Sequence, residues 1–230
     1  MDHAPMEQAA VLLAIDTSSA QAGIALRSGE RVASLAWHAG RSHTVSLLPQ
    51  IHRLLELQDH SVSALTGLAI ALGPGAFTGL RVGLSVAKGL SFALDLPLVG
   101  VSTLEATALP FLGPDRITVA AVAAGRGRLV WASYEPGVDD APLAVTAPRN
   151  ATPRELLDAL ASLDRPSVIV GEVPSDLDRE IAARAGAAVV PTLLGWRRPE
   201  ALLALAGVRL DAGKADDPAN LEPIYLGRDG

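Results

Sequence analysis

The sequence predicts an α/β fold built from two similar halves. Three features point there. Three short apolar runs separated by polar turns open the chain, strand-like and helix-like segments alternate after them, and a second strand-first series begins near Asp115. The 230 residues suffice for one large domain or two small ones, with a core that needs no disulfide or metal staple. With 49% apolar and 19% charged residues the chain is not a disordered polymer. The absence of cysteine excludes a disulfide framework, a thiolate metal site and cysteine catalysis. A net charge of −6 argues against a protein that holds nucleic acid by its own electrostatics. The uncharged stretch from Ser61 to Leu80 has the length of a membrane span, but Gly73-Pro74-Gly75 divides it into strand, turn and helix. Asp2 and Glu7 stand where a signal peptide needs basic residues. A soluble, cytoplasmic protein is expected.

After a ragged tail of eight residues, Val11 to Ile15, Gly23 to Leu26 and Val32 to Trp37 read as an antiparallel meander, turning at Asp16-Thr17-Ser18-Ser19 and Ser28-Gly29. From Val45 the period changes. Leu47, Leu48, Ile51, Leu54 and Leu55 share one arc of a helix, and Pro49 must either sit in its first turn or kink it. Leu68 to Leu72 is a buried strand, and a helix to Leu94 follows, with Thr78 as its candidate N-cap. Pro97 to Val101 is another strand. Ser102-Thr103-Leu104-Glu105 has the capping-box pattern, and Gly113-Pro114 stops that third helix. In the second half, Ile117 to Ala123 and Leu129 to Tyr134 form a hairpin around Gly125-Arg126-Gly127. Thr152-Pro153-Arg154-Glu155 opens a helix, Val168 to Val170 is a strand, and Ser175 caps a helix ending near Gly186. Pro199 opens a helix to about Ala212, and Ile224 to Leu226 is a closing strand.

Few residues suggest chemistry. The glycine-rich turn Gly73 to Gly79 precedes a helix N-terminus, where anions are favoured, but it lacks the Gly-Lys-Ser/Thr ending of a phosphate loop. Asp16 and Thr17, where a strand meets a turn, are candidates for a Mg²⁺–phosphate site; the plain alternative is a turn that bonds its own backbone. Gly79, Gly83 and Ala87 leave one helix face almost without bulk, so that a strand or helix can approach closely. Arg81, Ser85 and Lys88 line the opposite side, and Leu84 and Phe92 fall among them, the pattern of a contact surface or of a core that covers them. His3, His38, His43, His52 and His60 include no His-x-x-x-His pair for a metal. Gly-x-Ser-x-Gly is absent, and the 3% aromatics provide no stacking platform for single-stranded RNA. Arg126 with Arg128, or Arg197 with Arg198, could form a local basic patch.

Leu13-Ala14-Ile15-Asp16-Thr17-Ser18, His43-Thr44 with Leu48-Pro49, and Gly73-Pro74-Gly75-Ala76-Phe77-Thr78-Gly79-Leu80-Arg81-Val82-Gly83 resemble the TsaB (YeaZ) family. The likeness continues through Ala87 to Leu90 and Pro97 to Leu104, thins in the second half, and returns at Glu222-Pro223-Ile224-Tyr225-Leu226. The resemblance implies an actin/hexokinase-like (ASKHA), duplicated two-lobe fold with a shortened second lobe. Its N-terminal lobe would be 9–114, rejoined by 213–230, and its C-terminal lobe 115–212. It implies a non-catalytic scaffold, or activator, in making N6-threonylcarbamoyladenosine (t6A) on tRNA. The partners implied are a TsaD-like catalytic subunit, a TsaE-like ATPase in a larger complex, and tRNA reached only through that complex, with a homodimer as an alternative pairing. In TsaD-like chains the segment matching Gly100 to Thr107 carries a metal-binding His-x-x-x-His; here those positions are Thr103 and Thr107, poor ligands on the right helical face. No metal and no cofactor is expected. The family's Asp-Ala-Arg and Gly-Glu hairpin reads Ala123-Ala124-Gly125-Arg126-Gly127-Arg128 instead. The expected partner interface comprises His43, Leu47, Ile51, Leu54, Arg81, Leu84, Ser85, Lys88 and Phe92, on helices at about 44–58 and 79–94. The competing reading is an ATPase of the same fold acting through Asp16.

Overall fold

The computed structural model describes residues 10–40, 42–183 and 187–227. Strands β1 (Val11–Asp16), β2 (Gln21–Ser28) and β3 (Arg31–His38) form the antiparallel meander, and β4 (Gly67–Gly73) and β5 (Leu98–Ser102) add parallel to β1, giving the order β3-β2-β1-β4-β5. β1 and β4 are buried along their whole length, which is why each reads as an unbroken apolar run rather than an alternating one. On one face lie α1 (His43–Glu56) and α2 (Phe77–Leu94), whose Leu47, Ile51, Leu54, Leu55, Leu84 and Ala87 pack with Leu13, Ile15, Ile24 and Leu26. Pro49 stands inside α1 with its ring exposed. α2 begins two residues earlier than the Thr78 cap implies. Ala76 is its N-cap, and the Ala76 N–H donates to the Ser18 carbonyl at 2.6 Å, so a tertiary bond replaces a side-chain cap.

The second half repeats this plan. β6 (Ile117–Gly125) and β7 (Arg128–Pro136) are the expected hairpin, and β10 (Ser167–Gly171) and β11 (Ala187–Val189) add parallel to β6. β8 (Pro142–Ala144) and β9 (Arg149–Ala151) both pair with β7, for an order of β11-β10-β6-β7-β8. Helices α4 (Pro153–Ala161) and α5 (Ser175–Ala182) cover one face through Leu156, Leu157, Leu160, Leu177 and Ile181. Pro174, not Ser175, is the N-cap of α5, and the expected end near Gly186 lies outside the described residues. β8, β9 and β11 have three residues each, too few for a period to show.

The remaining helices are exchanged. α7 (Pro199–Asp211) packs Ala201, Leu202, Leu203 and Ala206 on the free face of the first sheet, against Leu12, Ala14, Ala69 and Val99. α3 (Thr103–Ala108), from the first half, sends Leu104 and Ala108 into the apolar face of the second sheet with Ala120, Val122, Val130 and Val168. The grouping 9–114 against 115–212 follows chain order; packing sets α7 on the first sheet and α3 against the second. Between them the chain makes the short α6 (Thr192–Gly195).

Two local expectations separate here. The Thr152 box forms: the Thr152 hydroxyl accepts from the Glu155 N–H, and Glu155 accepts from the Thr152 N–H at 2.6 Å. The Ser102 box does not; Ser102 caps nothing with its side chain. Ile224 to Leu226 is likewise not a strand, and the Ile224 N–H makes one bond to the Leu72 carbonyl at 2.7 Å. The end of α7 and the chain after it instead guard the β5 edge. The Gly100 N–H donates to Asp216 Oδ2 at 2.7 Å, the Gly100 carbonyl accepts from Arg209 Nη1 at 2.7 Å, and the Leu98 carbonyl accepts from the Asp216 N–H at 2.9 Å. Among the described residues no helix is long and apolar enough to cross a membrane.

Candidate functional site

The ends of β1 and β10 face one another across the junction of the two sheets, and one guanidinium joins them. Asp16, at the end of β1, accepts the Ser18 N–H at 2.8 Å and the Ser18 hydroxyl on Oδ1, and accepts Arg197 Nε at 2.9 Å on Oδ2. Arg197 Nη1 reaches Glu172 Oε1 at 2.7 Å, and Glu172 Oε2 accepts the Ala123 N–H at 3.0 Å. The side chains of Arg197 and Asp16 are only 5% and 6% exposed. Burial by itself would make Arg197 lose its proton more easily, but the two carboxylates outweigh it and hold its pKa above the ordinary arginine value. The cluster of one cation and two carboxylates has a surplus negative charge, which disfavours a phosphate. Thr17 is also committed, its hydroxyl donating to the Gly79 carbonyl at 2.7 Å. Both candidates for a nucleotide are thus engaged in bonds within the chain. A cavity of about 310 Å³ lies beside the cluster, lined by Ser19, Gln21, Glu172, Val173 and Trp196.

Arg197, suggested by the sequence as part of a basic patch, is therefore buried and paired, and Arg128 donates to the side chain and carbonyl of Asn150. No local pattern reveals the Asp16–Arg197 pair, whose members are 181 residues apart. Thr103 and Thr107 are buried on one face of α3, and the Thr107 hydroxyl donates to the Thr103 carbonyl at 2.7 Å. Among the described residues no three His, Cys, Asp or Glu side chains gather around a metal position.

The expected interface residues divide sharply. His43, Leu47, Ile51, Leu54 and Leu84 point into the core, because the apolar arc of each helix is the face that the first sheet covers. Burial lowers the pKa of His43, more than nearby Asp16 and the Ser19 backbone raise it, so the ring is held neutral. Arg81, Ser85 and Phe92 are exposed, and Lys88 is half-buried with Nζ 3.4 Å from the Ala219 carbonyl. Beside them stand apolar residues that the sequence reading left out: Val45 is 73% exposed, Leu48 53% and Phe77 53%. Phe77 stacks on Tyr225 with centroids 5.2 Å apart, and the Arg81 guanidinium lies 3.8 Å over the Phe77 ring while Nε donates to the Tyr225 hydroxyl at 3.2 Å. Thr44, Leu48, Phe77, Arg81, Val82 and Ser85 line a groove of about 490 Å³ between α1 and α2. Leu48 was legible as apolar, but a helical wheel does not tell which apolar residues the sheet covers.

A duplicated α/β chain with a cleft between its sheets defines an actin/hexokinase-like protein, one whose cleft acid is tied to an arginine. The family model for TsaD, tRNA N6-adenosine threonylcarbamoyltransferase, matches residues 37–154. The tRNA threonylcarbamoyladenosine biosynthesis protein TsaB of Escherichia coli is 29% identical over 222 residues, covering 94% of both chains. That of Bacillus subtilis is 33% identical over 162 residues, 70% of each chain. The YeaZ structure from Pseudomonas aeruginosa superposes with a TM-score of 0.76 at 27% identity, covering 94% of this chain and all of that one. The chain belongs to the TsaB (YeaZ) family of tRNA threonylcarbamoyladenosine biosynthesis proteins.

Proposed function

We propose that the protein is a non-catalytic scaffold that binds and orders a TsaD-like catalytic subunit for t6A formation in the cytoplasm. The observation that carries this reading is the apolar surface of α1 and α2. Leu48 and Phe77 are exposed in one groove, with Val45 exposed elsewhere on α1 and Phe92 further along the same side of α2. Large exposed aromatic and aliphatic side chains ringed by Arg81 and Ser85 are the composition of an interface centre with a polar rim. The cleft supports a structural rather than a chemical role, since Arg197 engages both of its carboxylates from within the chain. A scaffold activates only by contacting one state of its partner better than another. The TsaE-like ATPase and tRNA would join through that complex, in keeping with the acidic balance of this chain.

The test is co-purification with the TsaD homologue of the same organism, followed by reconstituted threonylcarbamoylation of tRNA. Leu48→Asp and Phe92→Asp should each leave stability within about 0.5 kcal/mol, as exposed substitutions do, yet abolish the complex and the stimulated activity. Leu84→Asp is unsuitable, because Leu84 is buried and the variant would report on folding. Complex formation by both exposed variants would sink this surface. Loss of self-association alone would assign it to a homodimer instead. Calorimetry with Mg-ATP addresses the ATPase reading: saturable binding abolished by Asp16→Ala would revive it, and none is expected.

A further inference from the structure

On the far side of the first sheet from α1 and α2, a pocket of about 370 Å³ opens between α3, α7 and the segment 138–142. Val101, Leu109, Pro142, Ala204, Leu205 and Val208 give it apolar walls. Two acids line it, Glu105 and Asp139, and Glu105 is the one held between the helices. Its position three residues after Ser102 would assign it to a capping box, but that box is absent. The Ser102 side chain lies by the buried Tyr134 hydroxyl instead. Among the described residues no donor bonds the Glu105 carboxylate, and burial raises its pKa, with Arg209 acting weakly in the other direction.

A half-buried carboxylate against hydrocarbon, without a donor, is costly to the folded chain. The nearest cation does not relieve it. The Arg209 guanidinium is spent on the Gly100 carbonyl at 2.7 Å and on Asp216 at 2.8 Å. Asp139, also on the lining, adds another negative charge. The pocket therefore combines apolar walls with two acids and one cation, Arg209, whose donors are used elsewhere, and a ligand that fits it is a cation carrying its own hydrocarbon.

We propose that this pocket binds a small free organic cation, a primary ammonium on a short hydrocarbon body, with the ammonium on Glu105 and the body against Leu109, Ala204, Leu205 and Val208. An ammonium supplies the missing donors and the missing charge together. The aliphatic body covers walls that water wets poorly.

The test titrates the full chain with n-hexylammonium, using 1-hexanol and hexanoate as matched probes and backbone amide shifts as the readout. Saturable binding is expected at millimolar concentration or below, as suits a ligand of this size (roughly 1 kcal/mol or less per heavy atom). Shifts should cluster in 101–109, 138–142 and 204–209. Hexanol and hexanoate should bind at least about tenfold more weakly, roughly the 1.4 kcal/mol that a charge-assisted hydrogen bond supplies. Glu105→Gln should erase the preference for the amine while leaving hexanol unchanged. Ala204→Leu, which fills the wall from α7, should weaken both and keeps the idea testable should Glu105→Gln fold poorly. Equal affinity for alcohol and amine, or an amine affinity indifferent to Glu105→Gln, would overturn the proposal. So would binding of N-acetyl-lysinamide without any of hexylammonium, which would make the site a receptor for a lysine of another protein.

Discussion

Arg197 carries more of the structure than its place in a short loop suggests. Among the described residues it is the one cation bonded to both Asp16 and Glu172, which stand at the ends of strands from the two different sheets. Removing it leaves two carboxylates to be buried near each other without a counter-charge. Arg197→Ala should therefore cost about 3–5 kcal/mol, the range for breaking a buried ion pair from one side. Urea unfolding measures this directly, and a loss under about 1 kcal/mol, the ordinary effect of a point substitution, would show that the cluster relaxes into water. Arg197→Lys should recover only part, because one ammonium cannot present the two separate N–H edges that Asp16 and Glu172 accept. The pairing was not legible along the sequence, where Asp16 read as a Mg²⁺–phosphate candidate or a turn residue and Arg197 as part of a basic patch. Pairing across 181 positions leaves no local mark.

At the scale of an element, α2 depends on two glycines lying against the β1 turn. A Cβ at Gly79 would strike the Thr17 carbonyl, and one at Gly83 the Thr17 hydroxyl and Ile70. Gly83→Ala should destabilise by about 1–3 kcal/mol, as overpacking does, despite the better helix propensity of alanine. Gly89, on the same helix, has nothing within 4 Å of its would-be Cβ. Gly89→Ala should stabilise by about 0.5–1 kcal/mol. Thermal midpoints of the two variants should move in opposite directions, and a shared direction would remove the close-packing account. The small-residue stripe was readable from sequence as a face for close approach, and the strands and helices of more than four residues were readable from apolar runs, helical period and cap or proline signals. Capping boxes were not equally readable. Ser102-x-x-Glu105 and Thr152-x-x-Glu155 share one pattern, yet only the second closes, and Glu105 lines a pocket instead. The surface of α1 was misread for a related reason. Leu47, Ile51 and Leu54 form the strongest apolar arc, and the strongest arc is the one a sheet covers.

For the whole molecule the exchange of α3 and α7 matters most. Each sheet has its second face covered by a helix from the other half, so neither half contains its own complete core. A fragment of residues 10–114 would lack α7 and expose Leu12, Ala14, Ala69 and Val99, and it should not fold alone. The intact chain should melt in one calorimetric transition with equal calorimetric and van't Hoff enthalpies. Two separated transitions would show the lobes to be independent after all. The composition signals of the sequence, acidic charge and ample apolar content, sit comfortably with such a body but could not announce the exchange. The treatment of the β5 edge has a consequence of its own. Leu98 and Gly100 face outward from the sheet, and both backbone groups of Gly100 and the carbonyl of Leu98 are already occupied by Asp216 and Arg209. An incoming strand would find those positions taken, so on that flank the sheet cannot be lengthened by a foreign chain. Polymerisation by strand addition is closed off there by two side chains and one amide, while the exposed helices on the sheet's face remain free to meet a partner.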